Sequence, residues 1–240
     1  MTAQPTSDRA GTATPVVRRL APADRQAVLR IAADTGFFGQ PIEAVHDDRA
    51  LFCDLLYRYY VDVDRSHGWV AEEEDGVIGF VVGTANTRAM HARWARAALP
   101  GIVWRALTGR YRIRRATLRR LAAQVLAALR GEAASVDASA YPAHLHLNIV
   151  AGQRGRGVGR RLLETFLGAL RAEGVGGVHL RTTDQNPAAC HLFESLGFRL
   201  LDERSAREWE GLLPGPVHHR VYVLTLSPTQ ASSDASMQTR

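Results

Sequence analysis

Lysine is absent from this chain of 240 residues, and all 30 of its basic side chains are arginine. That absence excludes the phosphate loop ending in Gly-Lys-Ser/Thr, whose lysine reaches the outer phosphates. A GC-rich coding sequence explains an all-arginine set more simply than selection for fork-shaped donors. The net charge of +6 is therefore poor ground for a nucleic-acid partner, and none is expected. Cysteine is nearly absent too. Cys53 and Cys190 make neither a CxxC pair nor a Cys/His ligand spacing, so no metal is expected. Two reduced thiols fit a cytoplasmic protein. No apolar run approaches the ~18 residues of a membrane span, and the first fifteen residues lack the apolar stretch of a secretion signal. Acidic residues are missing from 88–130, which holds eleven arginines. The other 19 arginines face 24 acidic residues, a balance of −5.

What is present reads as one domain over 15–226 with a helical, arginine-rich insertion at 88–130. The polar ends, 1–14 and 227–240, read as disordered. Pro15 to Ala21 is expected as a first strand, followed by helices over Pro22–Asp34 and Asp47–Tyr60. Asp75-Gly76 between two apolar runs predicts a hairpin. In the insertion, Ile113, Thr117, Leu121, Val125 and Leu129 recur every four residues and predict one face of an amphipathic helix from Tyr111 to Arg130. After Pro142 the chain alternates: His144, His146 and Asn148 on one face, Leu145, Leu147 and Ile149 on the other, which is a half-polar strand. A glycine-rich loop follows, then a helix over Val158–Ala172 stopped by Gly174. Val178–Thr182 reads as a strand, Asn186–Leu196 as a short helix and Val221–Leu226 as a last strand.

The order strand, glycine loop, helix carries the first chemical signal. Gly155, Gly157 and Gly159 let backbone N–H groups approach a bulky anion and adopt unusual dihedrals. The helix beginning near Val158 aims its positive end at the same place. Arg154 and Arg156 add charge, so the loop suits a pyrophosphate. A dinucleotide fingerprint needs Gly-x-Gly-x-x-Gly near the first strand; here the spacing differs and the loop lies late in the chain.

Arg154-Gly155-Arg156-Gly157-Val158-Gly159 resembles the Arg/Gln-x-x-Gly-x-Gly/Ala motif of the GNAT superfamily of N-acetyltransferases. Asn186-Pro187-Ala188-Ala189 through Leu196-Gly197-Phe198 is similar to that family's Asn-x-x-Ala…Gly-Phe segment, in the right order and at a fitting distance. The resemblance implies an α/β (α+β) fold: a mixed, twisted central sheet with helices on both faces. It implies that the strand running into Ile149 and Val150 splays from its neighbour, His179–Thr183, and that acetyl-CoA lies in the opening. The splayed strand then offers backbone groups to the acetyl and pantetheine. The amides from Arg154 through Val158 to Gly159 bind the pyrophosphate, and Asn186 contacts the pantetheine or positions the second motif. It further implies an acetyl-CoA-dependent transferase acting on the amine of a small molecule or peptide.

One position departs from the family pattern. Phe193 stands where many members keep a tyrosine that protonates the leaving thiolate. Either water or another group supplies that proton, with His191 one candidate, or transfer is slow, or the domain is a noncatalytic acyl-CoA-binding or interaction module. The candidate proton acceptors are His146 and His144, which share the polar face of the splayed strand and titrate near neutrality, and Asp184 at the end of the next strand. Hydrogen bonding within the sheet or to a covering helix is the alternative role for the histidines, and capping the Asn186 turn for Asp184. Tyr141 to His146 also bears a slighter resemblance to acetyltransferase-like domains related to those attached to O-GlcNAc hydrolases. A homodimer stays open, and no membrane partner is expected.

Overall fold

The computed structural model describes residues 14–130, 136–209 and 211–227. The two chain ends read as disordered thus lie almost wholly outside the described residues. Seven strands form one mixed sheet: β1 (Val16–Arg19), β2 (Gly68–Glu73), β3 (Gly76–Thr84), β4 (Ala143–Ile149), β5 (Gly177–Thr183), β6 (Arg199–Ser205) and β7 (His218–Thr225). Their order across the sheet is β1-β2-β3-β4-β5-β7-β6. Only β4 and β5 run parallel; every other neighbouring pair is antiparallel. The β2–β3 hairpin turns through Glu74-Asp75, with Gly76 at φ 112°, a conformation that side chains resist.

Alternation along the strands divides the core into two layers. Trp69, Val81, Leu145 and Leu180 pack with α6 (Val158–Ala172) and α7 (Pro187–Ser195) on one face. Val70, Phe80 and Val82 pack with α1 (Arg25–Thr35) and α2 (Arg49–Leu56) on the other. The anticipated apolar side of α6 is buried in full: Leu162, Leu163, Phe166, Leu167 and Leu170 are each at most 2% exposed. At roughly 1.5–3 kcal/mol for each such side chain, this helix anchors the sheet's centre.

Three elements differ from the sequence reading. The helix expected over Asp47–Tyr60 stops at Leu56, and one turn of π-helix follows at Tyr59–Val63. Strand β6 was not anticipated; its side chains are mostly exposed, so it lacks the apolar alternation that marks a strand. The insertion forms α3 (Thr87–Ala97), α4 (Leu99–Leu107) and α5 (Arg115–Leu129), and the stripe of α5 is buried at Thr117 but turns outward toward the helix's end. Val125 is 62% and Leu129 80% exposed. Thr117 is buried for a polar reason: its Oγ1 donates to Asp47 Oδ2 at 3.0 Å and accepts from the Asp47 amide at 3.0 Å. The arginines of the insertion find acids of the same chain. Arg105 pairs with Asp54 at 2.6 Å and Arg93 with Asp64 at 3.3 Å, so the charge imbalance between segments is partly cancelled within the fold.

Candidate active site

The opening between β4 and β5 begins where their ladder ends. Only Ala143↔Val178 and His144↔His179 are paired. Beyond them β4 stays bound to β3 as far as Ile149, and β5 to β7 as far as Thr183. The two strands therefore diverge from Leu145 and Leu180 onward. Gly83 helps to seat β4 against β3 and α6: an added Cβ there would lie 2.2 Å from the His144 carbonyl oxygen and 2.7 Å from Phe166.

Two cavities meet at this opening. One, of about 360 Å³, runs between β4 and β5 past Leu147, Asn148, Asn186 and Phe193. The other, of about 450 Å³, opens toward α2 and α3 beside Tyr60, Met90, Trp94 and His144. Leu145, His146, Leu180 and Arg181 line both. A strained turn covers the first cavity. Phe38 has φ 48°, which costs a non-glycine residue on the order of 1–3 kcal/mol, and its ring meets Trp209 edge-on at 4.8 Å.

The polar face of β4 points at the α1–α2 layer. Asn148 donates to Thr35 Oγ1 at 2.8 Å and accepts from the Tyr57 hydroxyl at 3.2 Å. His144 sits in a chain whose proton positions can be deduced. The Thr87 hydroxyl donates its single proton to the Pro142 carbonyl at 2.8 Å. Toward His144 Nδ1, at 2.7 Å, it can only accept, so Nδ1 carries the ring proton. Nε2 is then bare and accepts from the Tyr60 hydroxyl at 2.5 Å. Burial, reinforced by neighbouring His146 and His179, pushes the His144 imidazole down to about 2. His146 has no hydrogen-bonding partner among the described residues. Its ring lies 5.3 Å from that of Tyr57 and 5.5 Å from that of Tyr60, and burial pushes it down to about 4. It is a neutral base at the junction of the two cavities.

The remaining predicted residues are placed as follows. Gly155 and Gly157 have φ 76° and 77°, with open space where a Cβ would stand. Gly157 caps α6 and Val158 is its first residue, so the amides of the first turn face outward. Gly159 serves another purpose: a Cβ there would lie 3.0 Å from Leu192, so it lets α7 approach α6. The flanking arginines are less available than their charge implied. Arg154 donates to the carbonyls of Ile149 and Gly39, both at 3.2 Å, and locks the Phe38–Gly39 turn to the end of β4. Arg156 pairs with Glu73 at 2.8 Å and bonds Gln153. Val150 is held to Ile78 by its amide at 3.0 Å. Asn186 begins α7 at the mouth of the first cavity. Phe193 lines that cavity while packing on Phe198 and Tyr222.

Asp184 is not brought to this site. It lies outside both cavities and binds His218, accepting from its amide at 3.0 Å and meeting its Nδ1 at 3.0 Å. His191 is an exposed residue of α7 and lines neither cavity. The sequence reading missed Tyr57, Tyr60, Thr87 and Arg181. The first two had a faint signal, the Tyr57-Arg58-Tyr59-Tyr60 run in a chain with only 7% aromatic residues.

A pyrophosphate-bearing thioester fits this geometry: glycine loop with positive φ, helix N-terminus, diverging strands and a narrow cavity leading inward. The model of the acetyltransferase (GNAT) family matches residues 119–198. The crystal structure of SsHAT is 30% identical, with TM-score 0.66, covering 89% of this chain and 98% of that one. A GNAT superfamily phosphinothricin acetyltransferase from Sinorhizobium meliloti, solved with acetyl-CoA, is 15% identical with TM-score 0.53, covering 93% of this chain and 98% of that one. An N-acetyltransferase from Staphylococcus aureus is 16% identical with TM-score 0.53, covering 90% of this chain and all of that one.

Proposed function

Since this chain belongs to the GNAT acetyltransferase family, we propose that it uses acetyl-CoA to acetylate a primary amine of a small molecule or peptide, with His146 as proton acceptor. The observation that carries this reading is the position of His146, the one titratable side chain besides Arg181 that lines both cavities among the described residues. Acetyl-CoA, when bound, supplies an acyl group on a good leaving group. The first-turn amides of α6 and the loop from Arg154 to Val158 hold its pyrophosphate. Asn186 and the free edge of β4 at Leu147–Ile149 hold the pantetheine arm, which brings the thioester to the junction. The amine enters through the second cavity.

As the C–N bond forms and the C–S bond breaks, the nitrogen releases one proton and the sulfur gains one. His146 takes that proton on its open imidazole nitrogen and returns it to the thiolate, which removes the need for a hydroxyl at Phe193. His144 is a positioning residue: its bonds to Thr87 and Tyr60 fix the wall against which His146 packs. A second reading has one observation in its favour. Phe193 has no proton to give, and a module that binds acyl-CoA without transferring it would tolerate this. Calorimetric titration with acetyl-CoA, followed by thiol release with an amine panel, tests both. Binding with amine-dependent thiol release is expected. Binding without release selects the second reading, and no binding removes both.

A further inference from the structure

The second cavity says what kind of amine could enter it. Its apolar wall is Leu55, Leu56, Met90 and Trp94. Its titratable lining consists of two tyrosines (Tyr59, Tyr60), four histidines (His91, His144, His146, His179) and Arg181. No carboxylate lines it among the described residues. The acids nearest in sequence are committed elsewhere. Asp54 is held by Arg58, Arg105 and Tyr111, Asp62 by Arg25 and Arg58, and Asp64 by Arg93 and Ser66. Burial and the nearby Arg181 both act to disfavour the protonated form of His144.

An alkylammonium ion entering this space would lose its hydration with no carboxylate among the described residues to replace it, which is costly for a charge. A neutral amine loses far less, and an apolar body gains from the wall. Resting on the acetyltransferase reading above, we infer that the acceptor is a small apolar amine whose nitrogen is uncharged at neutral pH, an arylamine being the plainest example. The basicity of the site agrees with that of the substrate. His146, held at about 4, is too weak a base to strip an alkylammonium, but it suits the weakly basic nitrogen of an arylamine adding to a thioester. The arithmetic of the step is unchanged: one N–H proton leaves nitrogen for His146 and goes on to sulfur.

Two isomers make the test. para-Toluidine and benzylamine contain the same atoms, but at pH 7 the first is neutral and the second is protonated. With the full chain and saturating acetyl-CoA, kcat/KM for para-toluidine is expected to exceed that for benzylamine by about tenfold or more. Its profile should be flat from pH 6.5 to 9, while that of benzylamine climbs with the amine's own deprotonation. Binding of each amine, followed by tryptophan fluorescence through Trp94, should show the same order even where transfer is slow. Leu56→Glu, which places an anion on the cavity wall at a half-exposed position, should shift the preference toward benzylamine. Faster turnover or tighter binding of benzylamine, or of a lysine peptide, by the parent protein at pH 7 would overturn the inference and leave acetyl transfer standing. So would failure of both isomers to bind. Failure to bind acetyl-CoA would instead remove the acetyltransferase reading on which the inference rests.

Discussion

His146 and His144 are two residues apart on one strand face, yet their surroundings give them different work. His144 has both ring nitrogens engaged, one by Thr87 and one by Tyr60. His146 has neither engaged among the described residues and stands where the cavities join. His146→Gln keeps the size and polarity of the side chain but cannot accept a proton. It is expected to lower the acetylation rate by about 100-fold while the acetyl-CoA dissociation constant, measured by calorimetry, changes by less than about twofold. An equal loss of affinity would mean the ring only holds the pocket open. The pair was legible in the sequence because strand alternation places i and i+2 on one face whatever the fold. Tyr60 left only the faint signal of an aromatic run. A turn of π-helix carries it to His144 across 84 positions of sequence, and no local periodicity encodes that arrangement.

Among elements, those with strong local chemistry were the readable ones. The glycines before α6 and the dense leucine face within it state their own start, direction and buried side. Helix α5 has an equally regular spacing, yet its stripe is buried at Thr117 and exposed at Val125 and Leu129, because regularity says which residues share a side and not how much of that side finds a partner. A reciprocal pair of hydrogen bonds with Asp47 settled that instead. Strand β6 was hidden by its exposure, being an edge strand bound only to β7. Strand β4 depends on a glycine in its neighbour. Gly83→Ala would drive a methyl into the His144 carbonyl, 2.2 Å from the ideal Cβ position. Backbone cannot give way as a flexible side chain does, so a loss of about 2–3 kcal/mol is expected, read as a lower urea midpoint with unchanged slope. A variant as stable as the parent would show that β3 and β4 are less tightly apposed than the structure indicates.

For the whole molecule, the half-buried His144 and His146 link stability to pH. In the unfolded chain both imidazoles titrate near the ordinary value of about 6.5; in the fold His146 is held to about 4 and His144 to about 2. Well above pH 6.5 neither state carries protons at these sites, and the contribution of the folded state is complete. As pH falls below 6.5 the unfolded chain takes up protons that the fold refuses, so stability declines through the window down to the folded values. Thermal melts are expected to show a Tm falling from pH 6.5 to 4, with a shallower fall in His146→Gln. A Tm that stays level over that range would mean the histidines are solvated in the fold.

The ladder between β4 and β5 is only two residue pairs long. Past His144 and His179 the facing edges of the two strands have no ladder bonds to each other, while their outer edges stay bonded to β3 and β7. In deuterated water the two strands should therefore take up label in alternation, with outward amides slow and inward amides fast. A molecule seated between them would slow the inward set alone. The sheet would thereby record the occupancy of its own gap in its exchange kinetics, without any change of shape.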